Sequence, residues 1–195
     1  ILEMGGLGAL TAVEATKNGN VGVIATNNTI RSKAYQDAID AWDKKVRVHA
    51  RGASALVDLV ERGEHSSPRA VGKIKSALAP FREAEIDTLI LGCTHFTFLK
   101  PAIKHLMGDG VRIVDPSETM AEAIARMFFN LCGHEEDGLT YEFNFTKDLR
   151  DFQVIANKTT LRMDRFSPQL IEIPNPSWLE IKSNWEQWWE FYEAK

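Results

Sequence analysis

Continuous apolar runs and segments with helically spaced apolar positions alternate along the first 117 residues of the chain. Three of the runs are short, rich in β-branched residues and apolar at consecutive positions, which is typical of strands buried on both faces of a parallel sheet. They are "NVGVIAT" at 20–26, "IDTLILG" at 86–92 and "VRIVDPS" at 111–117. A fourth segment, "KVRVHA" at 45–50, alternates between polar and apolar residues and predicts a further strand.

The segments between these strands have the spacing of amphipathic helices. After the first strand, Thr29 is expected to be the N-cap of a helix that continues to Trp42. Further helices are predicted over three segments, at 53–64, 67–84 and 98–110. Ser117 is expected to cap another helix that extends to Cys132. Strands that alternate with helices predict an α/β fold with a mostly parallel sheet.

The remainder of the chain is patterned differently. An alternating strand is predicted over 139–146 and a helix over 147–160. Residues 174–195 form a tail that carries four of the five tryptophans. As a helix, this tail would place several indoles on one face, and we expect that face to dock on the chain itself or to make a dimer or partner contact. Deleting the tail is expected to lower stability or solubility and to leave the Cys93 site formed.

Composition excludes several classes of function. The net charge is −4 and no block of lysine and arginine is present, so nothing indicates nucleic-acid binding. The apolar runs are too short to span a bilayer, and the opening residues lack the features of a signal peptide. The two cysteines do not form a disulfide framework, and a cytoplasmic location is therefore expected.

The stretch "DTLILGCTHF" at 87–96 places a thiol and an imidazole where a buried strand ends. Ligands bind beyond the carboxyl ends of strands in parallel sheets, and free backbone N–H groups at a helix start can lower the pKa of a thiol. His95 could relay protons to or from Cys93. A cysteine at such a turn is also compatible with a simple packing role. A metal site is less favoured, because no second Cys/His pair has the required spacing.

Four stretches resemble the glutamate racemases of the aspartate/glutamate racemase superfamily. "DTLILGCTHFTFLKPAI" is similar to their second cysteine motif, and "EATKNGNVGVIATNNTIRSKAYQDAI" is similar to their Gly-Val-Ile-Gly-Thr strand and the helix that follows it. "LVDLVERGE" and "YEFNFTKDLRDFQVIAN" resemble two further family segments. The resemblance covers roughly residues 3–173.

The resemblance implies interconversion of L- and D-glutamate without a cofactor or a metal, to supply D-glutamate for peptidoglycan. Two cysteines on opposite faces of the α-carbon would act as acid and base. Carried over by position, Cys93 is the acid/base for L-glutamate, His95 assists it and Glu61 supports His95. Thr94 and Thr29 would contact the substrate. For Glu61 a solvated helix-end charge, and for Thr29 a purely capping role, remain alternatives.

The resemblance also implies a domain organisation. Residues 1–114 would form the second α/β domain of the family, which carries the GCTH motif, and 115–173 the returning segment of the first domain. The family's first motif, Cys-Asn-Thr, is absent from these residues, and Cys132 is followed by Gly-His. The 195 residues by themselves are therefore expected not to racemise glutamate. Lys147 and Thr97 stand where the family has glycine and proline.

Two other functions remain open at this point. One is a different activity in the same superfamily, such as a decarboxylase that uses a single cysteine. The other is a non-catalytic racemase fragment that binds a partner, and the absent first motif favours it. A homodimer is also compatible with the sequence.

Overall fold

The computed structural model describes residues 3–64, 67–128, 142–145 and 167–170. The chain divides into two compact units, one within Leu2–Asp137 and the other made of Ile1 and Gly138–Lys195. The larger unit contains the α/β fold that the sequence predicts. None of the helices in the described part of the chain is long and apolar enough to cross a bilayer.

A four-stranded parallel sheet forms the centre of the larger unit, with the strand order β2-β1-β3-β4. Its strands are β1 Asn20–Ala25, β2 Arg47–Gly52, β3 Thr88–Gly92 and β4 Arg112–Val114. Val21 pairs with Val48 on one side and with Thr88 on the other. All four predicted strands are confirmed, although β2 begins and ends two residues later than the alternation indicated.

Helices connect the strands and cover both faces of the sheet. They are α1 Met4–Ala15, α2 Asn27–Ser32, α3 Ala34–Trp42, α4 Ala55–Glu61, α5 Pro68–Glu83, α6 Lys100–Met107 and α7 Pro116–Phe128. A 3₁₀ helix, Thr94–Leu99, precedes α6. The sequence pattern did not predict α1, which is rich in glycine and alanine and has no polar face. The Glu3 side chain caps it by accepting hydrogen bonds from the N–H groups of Gly5 and Gly6.

The predicted N-cap at Thr29 is wrong. Thr26 caps α2 instead, because its hydroxyl accepts the N–H of Thr29 at 3.2 Å. Thr26 is extended and directly follows β1, so the helix begins as soon as the strand ends. The single helix predicted as far as Trp42 is two helices, because Lys33 adopts a left-handed conformation with φ 57° and interrupts it.

The predicted N-cap at Ser117 is also wrong. Asp115 occupies the position before α7, and its Oδ1 accepts the N–H of Ser117 at 3.0 Å. Pro116 takes the first helical position, where its missing N–H removes no helical hydrogen bond. The described part of α7 ends at Phe128, so the predicted extension to Cys132 lies outside the described residues.

Apolar side chains pack on both faces of the sheet, which accounts for the continuous apolar runs of β1 and β3. On one face, Val21, Val23 and Ile90 pack against α1 and α3. On the other face, Ile24, Leu89 and Leu91 pack against residues of α4, α5 and the 3₁₀ helix. This sandwich of two helical layers around a sheet holds the carboxyl ends of the strands at one edge.

In the second unit, β5 Glu142–Phe145 pairs in parallel with β6 Ser167–Leu170. The first of these strands lies within the predicted segment 139–146, whereas the second was not predicted. The predicted helix over 147–160 and the tail at 174–195 lie outside the described residues.

Candidate active site

Cys93 follows the last residue of β3, a central strand of the sheet, and is the residue before the 3₁₀ helix. Its carbonyl oxygen accepts the N–H of Phe96 at 2.9 Å, which begins the helical turn. The thiol is free and half-buried. The strand thus delivers the sulfur to the edge of the sheet where parallel α/β folds bind ligands.

Cys93, His95 and Glu61 form a row of three interacting side chains. The Cys93 Sγ lies 3.9 Å from Nδ1 of His95, and Nε2 of the same ring lies 3.4 Å from Oε1 of Glu61. Glu61 is the last residue of α4, so a separate helix supplies the carboxylate. About a third of the His95 side chain is exposed (32%), which leaves the row open to a ligand. A carboxylate on one ring nitrogen orients the other nitrogen towards the sulfur.

Burial raises the pKa of the Cys93 thiol, and hydrogen bonds from the backbone N–H groups of His95 and Phe96 offset this only in part. The sequence-based expectation of a lowered pKa is therefore wrong in this structure. Cys93 packs against the apolar cluster beneath the sheet, and this environment disfavours the thiolate more than the nearby N–H groups favour it. At neutral pH the resting group is a thiol.

A cavity of about 230 Å³ opens beside the sulfur. Its lining includes Cys93 and Thr94, which directly follow β3, Asp115 and Ser117 at the start of α7, and Tyr35 from α3. The structure therefore places two of the predicted site residues in one cavity, with His95 and Glu61 in the row that leads away from it.

Thr29 lies elsewhere. It lines a neighbouring cavity of about 370 Å³ together with Lys33 and Gln36, and its hydroxyl is 2.8 Å from that of Thr26. Tyr35 lines both cavities and separates Thr29 from the sulfur. The structure thus does not bring Thr29 into the Cys93 cavity.

Tyr35 is a cavity residue that the sequence analysis did not identify. Its ring packs so closely on Gly92 that a Cβ there would lie 2.8 Å from Cε2. Burial, followed by the ionised forms of Glu3, Cys93 and Asp115, raises its pKa to about 12. The available signal was a tyrosine in one helix and a glycine at the end of a strand. That the two pack against each other can be recognised only once the fold is known.

Asp115 is the second residue that sequence reasoning missed. Its side chain is only 3% exposed, and its Oδ1 accepts the N–H and the hydroxyl of Ser117. Oδ2 is buried and has no hydrogen-bond partner among the residues that the structure describes. An acid immediately after a buried strand, in "VDPS", was the signal. Within the described ranges, no group of three or more His, Cys, Asp or Glu is arranged to hold a metal ion.

The chain matches the family model described as Asp/Glu/Hydantoin racemase over residues 1–124. It is similar to the glutamate racemase of Listeria innocua, with 33% identity over 168 residues that make up 85% of this chain and 63% of the relative. It is also 41% identical to glutamate racemase 2 of Caldanaerobacter subterraneus over 117 residues, which cover 60% of this chain and 44% of that one. The chain thus spans less than two thirds of the length of these relatives.

Solved structures give the same result. A glutamate racemase isoform from Bacillus anthracis matches with a TM-score of 0.75 and 31% identity, covering 88% of this chain and 64% of that one. The glutamate racemase from Francisella tularensis, solved in complex with D-glutamate, matches with a TM-score of 0.71 and 25% identity over 88% of this chain and 62% of that one. These similarities confirm the resemblance and the α/β racemase fold that the GCTH segment indicated.

Proposed function

Because the chain belongs to the Asp/Glu/hydantoin racemase family, we propose that it carries the Cys93 half of a site that interconverts L- and D-glutamate without a cofactor. The observation that carries the proposal is the row of Cys93, His95 and Glu61 at the carboxyl end of a central strand. The named relatives support glutamate as the substrate. D-Glutamate made in this way would serve peptidoglycan synthesis in the cytoplasm.

Racemisation requires that a proton leave the α-carbon from one face and that another arrive on the opposite face. In the proposed reaction the Cys93 thiolate takes the α-proton of L-glutamate and becomes a thiol, while a second acid protonates the other face. In the reverse direction the Cys93 thiol gives up its proton to the carbanion-like centre. Because burial raises the pKa of Cys93, the thiol is ready to donate, and the thiolate is a strong base once it forms.

His95 and Glu61 would support this proton transfer. The imidazole Nδ1 faces the sulfur and can accept the thiol proton or return it, and Glu61 holds the ring in that orientation. Thr94 lines the cavity next to the sulfur, and its hydroxyl or N–H is suited to a substrate carboxylate. The half-buried site also limits access of water to the reacting carbon.

The test uses the protein expressed from its complete reading frame and follows the circular dichroism of L- and D-glutamate. Cys93→Ser is expected to abolish racemisation while the far-UV spectrum stays unchanged, because a hydroxyl is far too weak an acid to replace the thiol. Cys132→Ser, a change at the other cysteine, should leave racemisation unaltered. Racemisation by Cys93→Ser at the wild-type rate would overturn the proposed function.

The same assay should be run on the 195 residues alone. With the family's first cysteine motif absent from these residues, we propose that they neither racemise glutamate nor exchange its α-proton for deuterium. NMR in D₂O measures the exchange directly. Exchange that Cys93→Ser removes would show that proton exchange at Cys93 does not require the family's first cysteine motif.

A further inference from the structure

Asp115 lines the Cys93 cavity and has one carboxylate oxygen whose hydrogen-bonding capacity the described residues leave unused. Asp115 lines the cavity and is 3% exposed, and its Oδ2 has no donor within the described part of the chain. The other oxygen, Oδ1, already caps α7 through Ser117. A buried acceptor without a donor is energetically unfavourable. Oδ2 is therefore expected to receive a hydrogen bond from a donor outside the described part of the chain.

We propose that Asp115 is a substrate-binding residue of this site, and that its Oδ2 accepts hydrogen bonds from the α-ammonium group of the amino acid. The inference rests on the proposed function, since it assigns a role towards the same substrate. An ammonium group is one bond from the α-carbon, so a fixed partner for it also fixes the direction of the α-proton relative to the Cys93 sulfur.

The charges around the cavity favour a cation at this position. The described residues that line the cavity include one carboxylic acid, Asp115, and no lysine, arginine or histidine. The carboxylates of Glu3 and Asp115 also contribute, after burial, to the raised pKa of Tyr35, which agrees with a negative potential beside the ring. A ligand carboxylate would be repelled from Asp115, whereas an ammonium would be attracted and would supply N–H donors.

The carboxylate is also held in place before any ligand binds. The Ser117 hydroxyl donates to Oδ1 and lies 3.3 Å from the hydroxyl of Thr97 in the 3₁₀ helix. These contacts join the start of α7 to the segment that carries Cys93 and His95. A fixed rotamer reduces the entropic cost of binding, because the group does not have to be ordered by the ligand.

The test compares two ligands that differ by the ammonium group, L-glutamate and glutarate, on the protein from its complete reading frame. Asp115→Asn keeps an oxygen that can cap α7 and replaces the other oxygen by an NH₂ group. We expect calorimetry to show glutamate binding weakened at least about tenfold. Glutarate binding should be unchanged or tighter, because the variant removes a negative charge. Asp109→Asn, at an exposed turn, is the matched control and should alter neither affinity.

The outcomes separate this inference from the proposed function. If Asp115→Asn weakens the binding of both ligands equally, or does not weaken glutamate binding, the proposed role of Asp115 is overturned even if the wild-type protein racemises glutamate. A selective loss of glutamate in a protein without racemase activity would support the role and contradict the proposed function. If the wild-type protein binds neither ligand, both fail. Asp115→Ser, which also retains a capping oxygen, provides the same comparison if the asparagine variant does not fold.

Discussion

At the residue scale, the orientation of His95 depends on a single carboxylate from another helix. Glu61 ends α4, and its Oε1 lies 3.4 Å from Nε2 of His95, while Nδ1 of the ring faces the Cys93 sulfur. Both members of the pair are partly exposed, so we expect the contact to contribute little to stability. The contact should instead contribute to the chemical step, because the orientation of the His95 ring decides whether a proton can move between Nδ1 and the Cys93 sulfur.

We therefore predict that Glu61→Gln lowers kcat for glutamate racemisation and leaves KM and the melting temperature nearly unchanged. General acid–base groups contribute about 100-fold or more, so loss of the group that orients one should cost about tenfold. Glu83→Gln, at the exposed end of α5, is the control. Unchanged kinetics would show that Glu61 is a solvated helix-end charge, and a loss that appears only in KM would show that Glu61 acts on binding and not on the chemical step.

The candidate site was only partly accessible from the sequence. Cys93 and His95 are two positions apart in the chain, directly after an apolar run, and the resemblance supplied Glu61. Tyr35 and Asp115 reach the same cavity from α3 and the start of α7, and their local sequence signals do not by themselves connect them to Cys93. The parallel sheet brings them together, because it aligns the carboxyl ends of β1, β3 and β4, and Tyr35, Cys93 and Asp115 all lie in the segments that follow these strand ends.

At the element scale, Gly92 shows how the end of β3 makes room for the site. A Cβ at this position would lie 2.8 Å from Cε2 of Tyr35 and 2.9 Å from the Cβ of Ala25, both closer than carbon atoms pack. The strand neighbour and the aromatic ring therefore require the absence of a side chain here.

We predict that Gly92→Ala lowers the free energy of unfolding by about 1–3 kcal/mol, the usual cost of an inserted methyl group in a packed region. Gly72→Ala is the matched control, because that glycine lies within α5 and a Cβ would meet nothing within 4 Å. Gly72→Ala should raise the free energy of unfolding by about 0.5–1 kcal/mol, since alanine is a better helix former than glycine. Urea unfolding measures both, and equal effects of the two changes would contradict the packing argument.

The strands and most helices could be predicted, because the pattern of apolar residues follows burial. The residues that cap the helices were predicted less well. The apolar runs of β1, β3 and β4 predicted their strands because these strands are covered by helices on both faces. Helix α1 was missed, since its glycines and alanines give no polar face. The caps of α2 and α7 were predicted too late in the chain, because each helix begins almost directly after a strand and the first residue after that strand caps it.

At the scale of the whole larger unit, the two ends of the strands have different roles. The candidate site lies at their carboxyl ends. At their amino ends, the side chain of Asp87 connects two segments of the chain. Its carboxylate accepts hydrogen bonds from the Thr16 hydroxyl at 2.6 Å and from the N–H groups of Lys17 and Asn18 at 2.6 and 2.7 Å. These contacts join the turn between α1 and β1 to the start of β3, 69 to 71 residues away in sequence.

Asp87 should make stability depend on pH in the acid range. Burial alone would raise its pKa, but the hydrogen bonds from Thr16, Asn18 and Lys17 outweigh burial and hold the pKa below its usual value. A group whose pKa is lower in the folded state stabilises the protein above its unfolded pKa, about 3.9 for aspartate. That contribution is lost as the pH falls through the folded-state pKa.

We predict that Asp87→Asn lowers the free energy of unfolding at pH 7 by about 1.5–3 kcal/mol, because an amide oxygen cannot replace the two charged acceptors. The difference between wild type and variant should shrink as the pH falls below about 3.9, because Asp87 then takes up a proton in the unfolded chain before it does so in the folded protein. Urea unfolding at pH 7 and at pH 3 measures this, and the exposed Asp109→Asn should show little change at either pH. A difference as large at pH 3 as at pH 7 would mean that the side chain stabilises the fold through packing, and that its charge makes no contribution.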